Sequence, residues 1–413
     1  MKVELKAVLS DSHLNAKQPS CQRQLEISIN VNAEAIQENH LPLNLCLVID
    51  YSGSMRGKPL EKVKQAAIDI ISKLNPGDRI SVVGFNHQAK VIIPCQGLET
   101  LSVVEQAIAD LKANGGTAID EGLKLGIQEI ANGKNNRISQ LFLLTDGENE
   151  HGDNQRCLKL AELASGYNIT INTLGFGSHW NPDVLEKIAD RAAGTLCHIE
   201  EPEQALREFQ RLFTRVQSVN FTNAYLLLEL HPQVRLAEMK PLAQVSPETI
   251  ELTIEEIAGL YTTRLGDLMR DVPRVLLANL YLHSLSVGEI TVAQVQIRYD
   301  DPISASEGLL SEQIPVTAIV QDTYQAAPSA SVEKSVLALA KYRQTQLAEK
   351  KLQDGDRRGA ATLLQTAAKT AIQLGDKGGA TVLQNSATRL QAGEELSDAE
   401  RKKTRMAAKT QLQ

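Results

Sequence analysis

Aromatic residues make up only 4% of this 413-residue chain, with a single tryptophan. That scarcity argues against a stacking platform for single-stranded nucleic acid. Positive charge is also in short supply. The formal net charge is −7, which disfavours a phosphate-backbone partner for the chain as a whole. The five cysteines, Cys21, Cys46, Cys95, Cys157 and Cys197, are scattered, odd in number and contain no C-x-x-C. They read as reduced thiols of a cytoplasmic protein, not as a disulfide framework. No apolar run reaches the ~18 residues a membrane-spanning helix needs. The opening MKVELKAVLSDSHLNAKQ has no continuous apolar stretch of the secretory kind. The expectation is a cytoplasmic location, in which the N-x-[ST] sequons at Asn168 and Asn220 have no role.

What is present changes character along the chain. Residues 1–40 read as β, with Leu25, Ile27, Ile29 and Val31 alternating on one face, followed by the polar NAEAIQENHLP. From 43 to 216 short apolar strands alternate with amphipathic helices. LNLCLVI and SQLFLLT are wholly apolar or nearly so, as strands buried on both faces of a sheet must be. PLEKVKQAAIDIISKL repeats apolar residues at helical spacing, with Pro59 in its first turn. This alternation predicts an α/β, doubly wound, mainly parallel sheet of Rossmann-like type. Residues 219–322 return to β and predict an antiparallel β-sandwich module. The N-terminal strands are expected to pair with it, so that the α/β domain is an insertion. After the linker TYQAAPSA, residues 331–413 form a helical C-terminal domain. There GDRRGAATLLQTAAKTAIQL is echoed twenty residues later by GDKGGATVLQNSATRLQA, and Ser397 with Glu400 forms a capping box. A helical-hairpin array follows, suited to a second binding surface or a homo-oligomer contact.

Ligands of an open parallel sheet gather at the carboxyl ends of its strands. Three loops belong there: DYSGS after the first apolar strand, NGGTAID before a helix, and TDGEN after the second apolar strand. They supply Asp50, Ser52, Ser54, Thr117 and Asp146, all hard oxygen donors. Two carboxylates with three hydroxyls suit Mg²⁺, and Mn²⁺ or Ca²⁺ as well. Residues two apart in an extended turn point the same way, so Asp50, Ser52 and Ser54 converge. Gly53 allows the bend between the serines, and Gly115–Gly116 lets the Thr117 loop approach.

Asp-x-Ser-x-Ser, then Gly-Gly-Thr, then Thr-Asp-Gly, in that order on an α/β chain, resembles a von Willebrand factor type A (VWA) domain with a metal-ion-dependent adhesion site (MIDAS). The resemblance covers about residues 43–216. It implies direct metal binding by Ser52 and Ser54. Thr117 and Asp146 would exchange direct and water-mediated contact with ligand state, and Asp50 would act through water. It also implies a protein partner that contributes an Asp or Glu carboxylate to the metal. The flanking modules, on GDLMRDVPRVLLANL and VQIRYDD, resemble bacterial and cyanobacterial cytoplasmic proteins carrying this domain. The expected function is therefore non-enzymatic, calcium- or magnesium-dependent protein–protein interaction.

The plainer readings stand beside this one. Asp50 and Ser52 could merely cap the next helix. Tyr51 is expected on the rim of the site, Glu148 as a solvated loop charge, and His87, His151, His179 and His198 as surface or satisfied histidines. Lys402, Lys403 and Arg405 are expected on a solvated helix face. A Mg²⁺-dependent phosphatase is the enzymatic alternative, but the second aspartate it needs two residues after Asp50 is Ser52. A scaffold with a purely structural metal is the third reading.

Overall fold

The computed structural model describes residues 2–32, 41–97, 101–134, 136–177, 180–270 and 272–409. His179 and residues 33–40 of the polar stretch lie outside them. The central sheet runs in the order 89–97, 79–85, 43–50, 138–145, 169–176, 196–199. All neighbours are parallel except the edge strand Ala89–Gly97, which is antiparallel to Arg79–Phe85. Every residue of Leu43–Asp50 and of Ile138–Thr145 is buried. Leu45, Leu47 and Ile49 face helices Lys58–Ile71 and Ala205–Gln217, while Cys46 and Val48 face Ile119–Asn132. Each such aliphatic side chain contributes about 1.5–3 kcal/mol of burial, which explains why these two segments contain no alternation.

The remaining strands form two sheets around a second core. One has the order 3–9, 20–31, 274–283, 242–246, 250–252. The other has the order 255–257, 260–269, 219–230, 288–301, 314–321, 13–15. Leu25, Ile27, Leu226, Leu228, Leu276, Val295 and Ile297 fill the space between them. The N-terminal strand Ser20–Val31 pairs along its length with Arg274–His283, so the α/β domain is inserted between strands of the sandwich. All pairings in the sandwich are antiparallel apart from Ile314–Gln321 with His13–Asn15. A buried polar layer joins sandwich to sheet. Asp267 accepts from Gln140 Nε2 at 2.7 Å and Thr170 Oγ1 at 2.9 Å, and Asn172 Nδ2 donates to Gln140 Oε1 at 2.9 Å. Gln140 and Thr170 sit near the amino ends of their strands, so the sandwich occupies that end and the carboxyl ends remain open.

Four helices, Ala330–Gln353, Arg357–Gln373, Lys377–Gln391 and Asp398–Ala408, close the chain. The twenty-residue echo is a repeated helix junction. Gly355 and Gly375 take positive φ (80° and 77°), and the next aspartate caps the following helix, Asp356 to Gly359 N and Asp376 to Gly379 N, both at 2.8 Å. The capping box of Ser397 and Glu400 is also formed. Among the described residues no helix is long and apolar enough to cross a membrane. One expectation is overturned for two of its three residues: Lys402 and Arg405 of the basic patch on the last helix are docked, while Lys403 stays exposed. Lys402 Nζ lies 4.4 Å from the Trp180 ring centre, Lys403 pairs with Glu200 at 2.7 Å, and Arg405 pairs with Asp183 at 2.6 Å. The cause is the facing helix Pro182–Arg191, which presents acids to it.

Each capping aspartate also meets a lysine, and the junctions differ in its burial: Asp356 reaches the exposed Lys351 Nζ at 3.0 Å. Asp376 also neutralises Lys341 Nζ at 2.8 Å, and that lysine side chain is only 2% exposed. Asp356→Ala should cost about 1 kcal/mol, the value of a cap. Asp376→Ala should cost about 3–5 kcal/mol, because it leaves a buried charge unpaired. Hydrogen-exchange protection across residues 330–409 measures both. Equal losses would mean that the Lys341 pair contributes nothing.

Candidate metal centre

The strand Leu43–Asp50 delivers Asp50 fully buried at its carboxyl end. The parallel register that sets Ile49 beside Leu144 places Thr145 next to Asp50. Thr145 Oγ1 donates to Asp50 Oδ2 at 2.6 Å, and Ser52 N donates to Asp50 Oδ1 at 2.7 Å. Burial nevertheless dominates and pushes the Asp50 carboxyl up to about 7, against the lowering effect of those bonds. Among the described residues no cationic side chain pairs with this carboxyl.

After Asp50 the chain turns through the 3₁₀ segment Gly53–Met55, anchored by the buried Met55 side chain. Ser52 Oγ and Ser54 Oγ are 3.0 Å apart, and Ser54 Oγ donates to Asp146 Oδ1 at 2.7 Å. The Ser52 side chain also hydrogen-bonds Asp50, so the two serine hydroxyls link the first acid to the second. Thr117 is buried, and a methyl built on Gly147 would lie 3.3 Å from its Oγ1 and 3.8 Å from Ser54 Oγ. The three predicted loops are thus brought together at one end of the sheet. Asp50, Ser52, Ser54 and Asp146 are linked by hydrogen bonds, with Thr117 facing the same turn. The capping alternative fails: Ser52 makes no side-chain cap bond, and the long helix after it begins behind Gly57.

The glycines serve close approach. Gly53 N donates to Gly115 O at 2.8 Å, and a Cβ on Gly53 would sit 3.3 Å from that oxygen. Gly115 has φ +74°, and a Cβ there would meet His87 Nδ1 at 2.4 Å. At Gly116 it would meet His151 Cε1 at 2.3 Å. The two exposed imidazoles therefore brace the diglycine from either side, and His151 N also donates to Thr117 O at 2.9 Å. Asn149 Oδ1 adds a bond from Ile119 N at 2.7 Å. Sequence reasoning missed Thr145, His87, His151 and Asn149 as supports. Only Thr145 left a signal, as the residue beside Asp146 on the strand that must adjoin Asp50. Tyr51 is not on the rim: it is buried against Gly84, with Lys90 Nζ 5.2 Å from its ring centre. Glu148 is an exposed loop charge, and His198 is half-buried with Nε2 3.0 Å from Gly177 O.

A doubly wound sheet with this three-loop oxygen cluster defines a von Willebrand factor type A domain protein, and residues 44–212 match that family. Residues 330–413 match the family described as Sll0103-like, C-terminal alpha-helical domain. The chain is 58% identical over 413 residues to "Uncharacterized protein sll0103" of Synechocystis sp. (strain ATCC 27184 / PCC 6803 / Kazusa), covering 100% of this chain and 98% of that one. The chain belongs to this Sll0103-like family of VWA proteins. A human inter-alpha-trypsin inhibitor heavy chain H4 is 28% identical over 189 residues, 43% of this chain and 20% of the relative. Among solved structures, a von Willebrand factor type A protein from Catenulispora acidiphila superposes with TM-score 0.85 at 18% identity, covering 100% of this chain and 97% of that one. The ArnB paralog VWA2 of Sulfolobus acidocaldarius gives 0.56 at 15% identity, covering 99% of this chain and 98% of that one.

Thr145→Val should strand Asp50 Oδ2 without its donor and cost about 1–3 kcal/mol, whereas Thr145→Ser should cost less than half as much. Denaturant unfolding of the α/β domain in EDTA measures both. Wild-type stability for the valine variant would show that this bond does not hold the acid.

Proposed function

We propose that Asp50, Ser52, Ser54, Thr117 and Asp146 bind a divalent cation, and that through it the domain binds an Asp or Glu side chain of a protein partner. The observation that carries the reading is the convergence of hard oxygen donors from three loops at one end of the sheet. Ser52 Oγ is in hydrogen-bond contact with Ser54 Oγ at 3.0 Å, and Ser54 Oγ with Asp146 Oδ1 at 2.7 Å. Mg²⁺, and Mn²⁺ or Ca²⁺ as well, take such oxygen ligands. Membership of the VWA family, a family of protein-interaction modules, supports the same reading.

When bound, the cation supplies Lewis-acid attraction for an anionic oxygen. The protein's own groups set how strong that attraction is. Asp50 and Asp146 match the charge of a dication, while Ser52, Ser54 and Thr117 hold it without adding negative charge. An incoming carboxylate is then still favoured in a cleft of low dielectric. Ser52 stands where a phosphatase would carry its second acid and is bonded to Ser54, so the reading is binding, not hydrolysis. Three units belong to the proposal: residues 1–40 with 219–322, residues 43–216, and residues 331–413. The location is cytoplasmic, the partner is not nucleic acid, no segment spans a membrane, and homo-oligomers would form through the helical tail.

Mg²⁺ titrated calorimetrically into the EDTA-stripped full chain should bind at one site, and Asp146→Ala should weaken it at least about tenfold. Saturation at 100 times Kd should stabilise the fold by about 2.7 kcal/mol. Cross-linked partners should disappear both with EDTA and in Asp146→Ala. Metal binding with partners unchanged by EDTA would leave a structural metal and discard the adhesion reading.

A further inference from the structure

The docked last helix has consequences beyond the metal site. Helix Pro182–Arg191 turns Asp183, Glu186 and Asp190 toward Asp398–Ala408. Arg405 reaches Glu186 at 2.5 Å, and Lys409 reaches Glu186 at 2.5 Å and Asp190 at 3.4 Å. Glu186 and Lys409 are only 4% and 5% exposed at these side chains. Arg405 Nε and both Glu186 oxygens lack hydrogen-bond alignment although they are close, so plain charge attraction holds them. The apolar contribution from the last helix is small: Met406 on the α/β core and Ala408 on the sandwich side. Beside these contacts the seam is not closed. A cleft of about 310 Å³ remains, walled by Glu148 and Trp180 on one side and Asp398, Arg401 and Lys402 on the other.

A seam held by long cationic side chains over an acidic face, with an open cleft next to it, differs from a domain core. We propose that the face formed by Trp180, Asp183, Glu186, Asp190 and Glu200 is a recognition surface for a basic amphipathic helix. In this chain it is filled by the chain's own last helix, an exchangeable ionic latch. Charge complementarity selects the occupant: Lys402, Lys403, Arg405 and Lys409 each meet an acid or the indole face. The occupant in trans is a basic helix of the same pattern, as on a second copy of this chain. Because Glu148 follows the metal-site turn by two residues, release of the latch opens the cleft beside that site. The latch itself stands without the metal reading.

The sole tryptophan makes the latch directly readable, since Trp180 is 2% exposed and lies under Lys402. The Glu186 and Lys409 side chains at the seam are buried, so salt screens these pairs little and the latch is read by mutation. In the full chain, Lys402→Met with Arg405→Met should red-shift Trp180 emission and raise its acrylamide quenching relative to wild type. A fluorescent peptide of the sequence Leu396–Lys409 should bind this double variant at least about tenfold more tightly than wild type, where the tethered helix competes at about millimolar effective concentration. A scrambled peptide should not bind, and Asp183→Asn with Glu186→Gln should abolish peptide binding. Trp180 emission and quenching in the double variant equal to wild type, or equal peptide affinity for wild type and double variant, overturns the proposal.

Discussion

The structure depends on a carboxylate placed where water cannot reach it. Asp50 ends the most deeply buried strand of the sheet, with apolar layers on both faces, and its ionised form is costly there. Two local donors, the Thr145 hydroxyl and the Ser52 amide, hold it in place. They do not cancel the cost of burial, which still pushes the carboxyl up to about 7. Around it stand neutral hydroxyls and one further acid, Asp146, which raises the carboxyl further, and among the described residues no lysine or arginine pairs with it.

The two ends of the α/β domain divide the tasks. At the amino ends of the strands a satisfied polar layer of Gln140, Thr170, Asn172 and Asp267 fixes the domain on the sandwich. At the carboxyl ends the loops are left free to carry chemistry, and each is pinned by its neighbours: Gly53 on Gly115, Ala118 on Asn86, His151 on Thr117. Rigidity reaches the site through backbone hydrogen bonds between loops, so the oxygen-bearing side chains do not have to hold one another in place.

Much of this was legible in the residues. Wholly apolar strands ending in Asp50 and Asp146 announce a sheet covered on both faces, and the three loops name the five oxygen donors. The sandwich insertion was legible from the return to alternation after residue 219. Other features were hidden because they depend on partners distant in sequence. Thr145 matters only through the register of two strands. The diglycine reads as room for the Thr117 loop to approach, but the imidazoles of His87 and His151 that flank it come from other loops. Tyr51 sits between two polar residues and so reads as exposed, but its ring folds back over Gly84. The basic patch was misjudged for the same reason. Charges on a helix look the same in sequence whether water or an acidic helix faces them.

The restraints around the site are also uneven, and this bears on how a ligand would be accommodated. Asp50 is buried with both carboxylate oxygens bonded, and Thr117 is buried on a loop pinned through its own carbonyl and the next amide. Ser54 is exposed and Asp146 only half-buried, on the turn after its strand. The VWA resemblance assigns ligand-dependent exchange to Thr117 and Asp146 alike. In this chain the backbone bonds that fix Thr117 make it a poor candidate for movement, whereas the Ser54–Asp146 hydrogen bond can be traded for another contact at little cost. Freedom to rearrange within the oxygen cluster therefore lies on the Ser54–Asp146 side. That side is also the one whose loop continues through Glu148 into the cleft beneath the last helix.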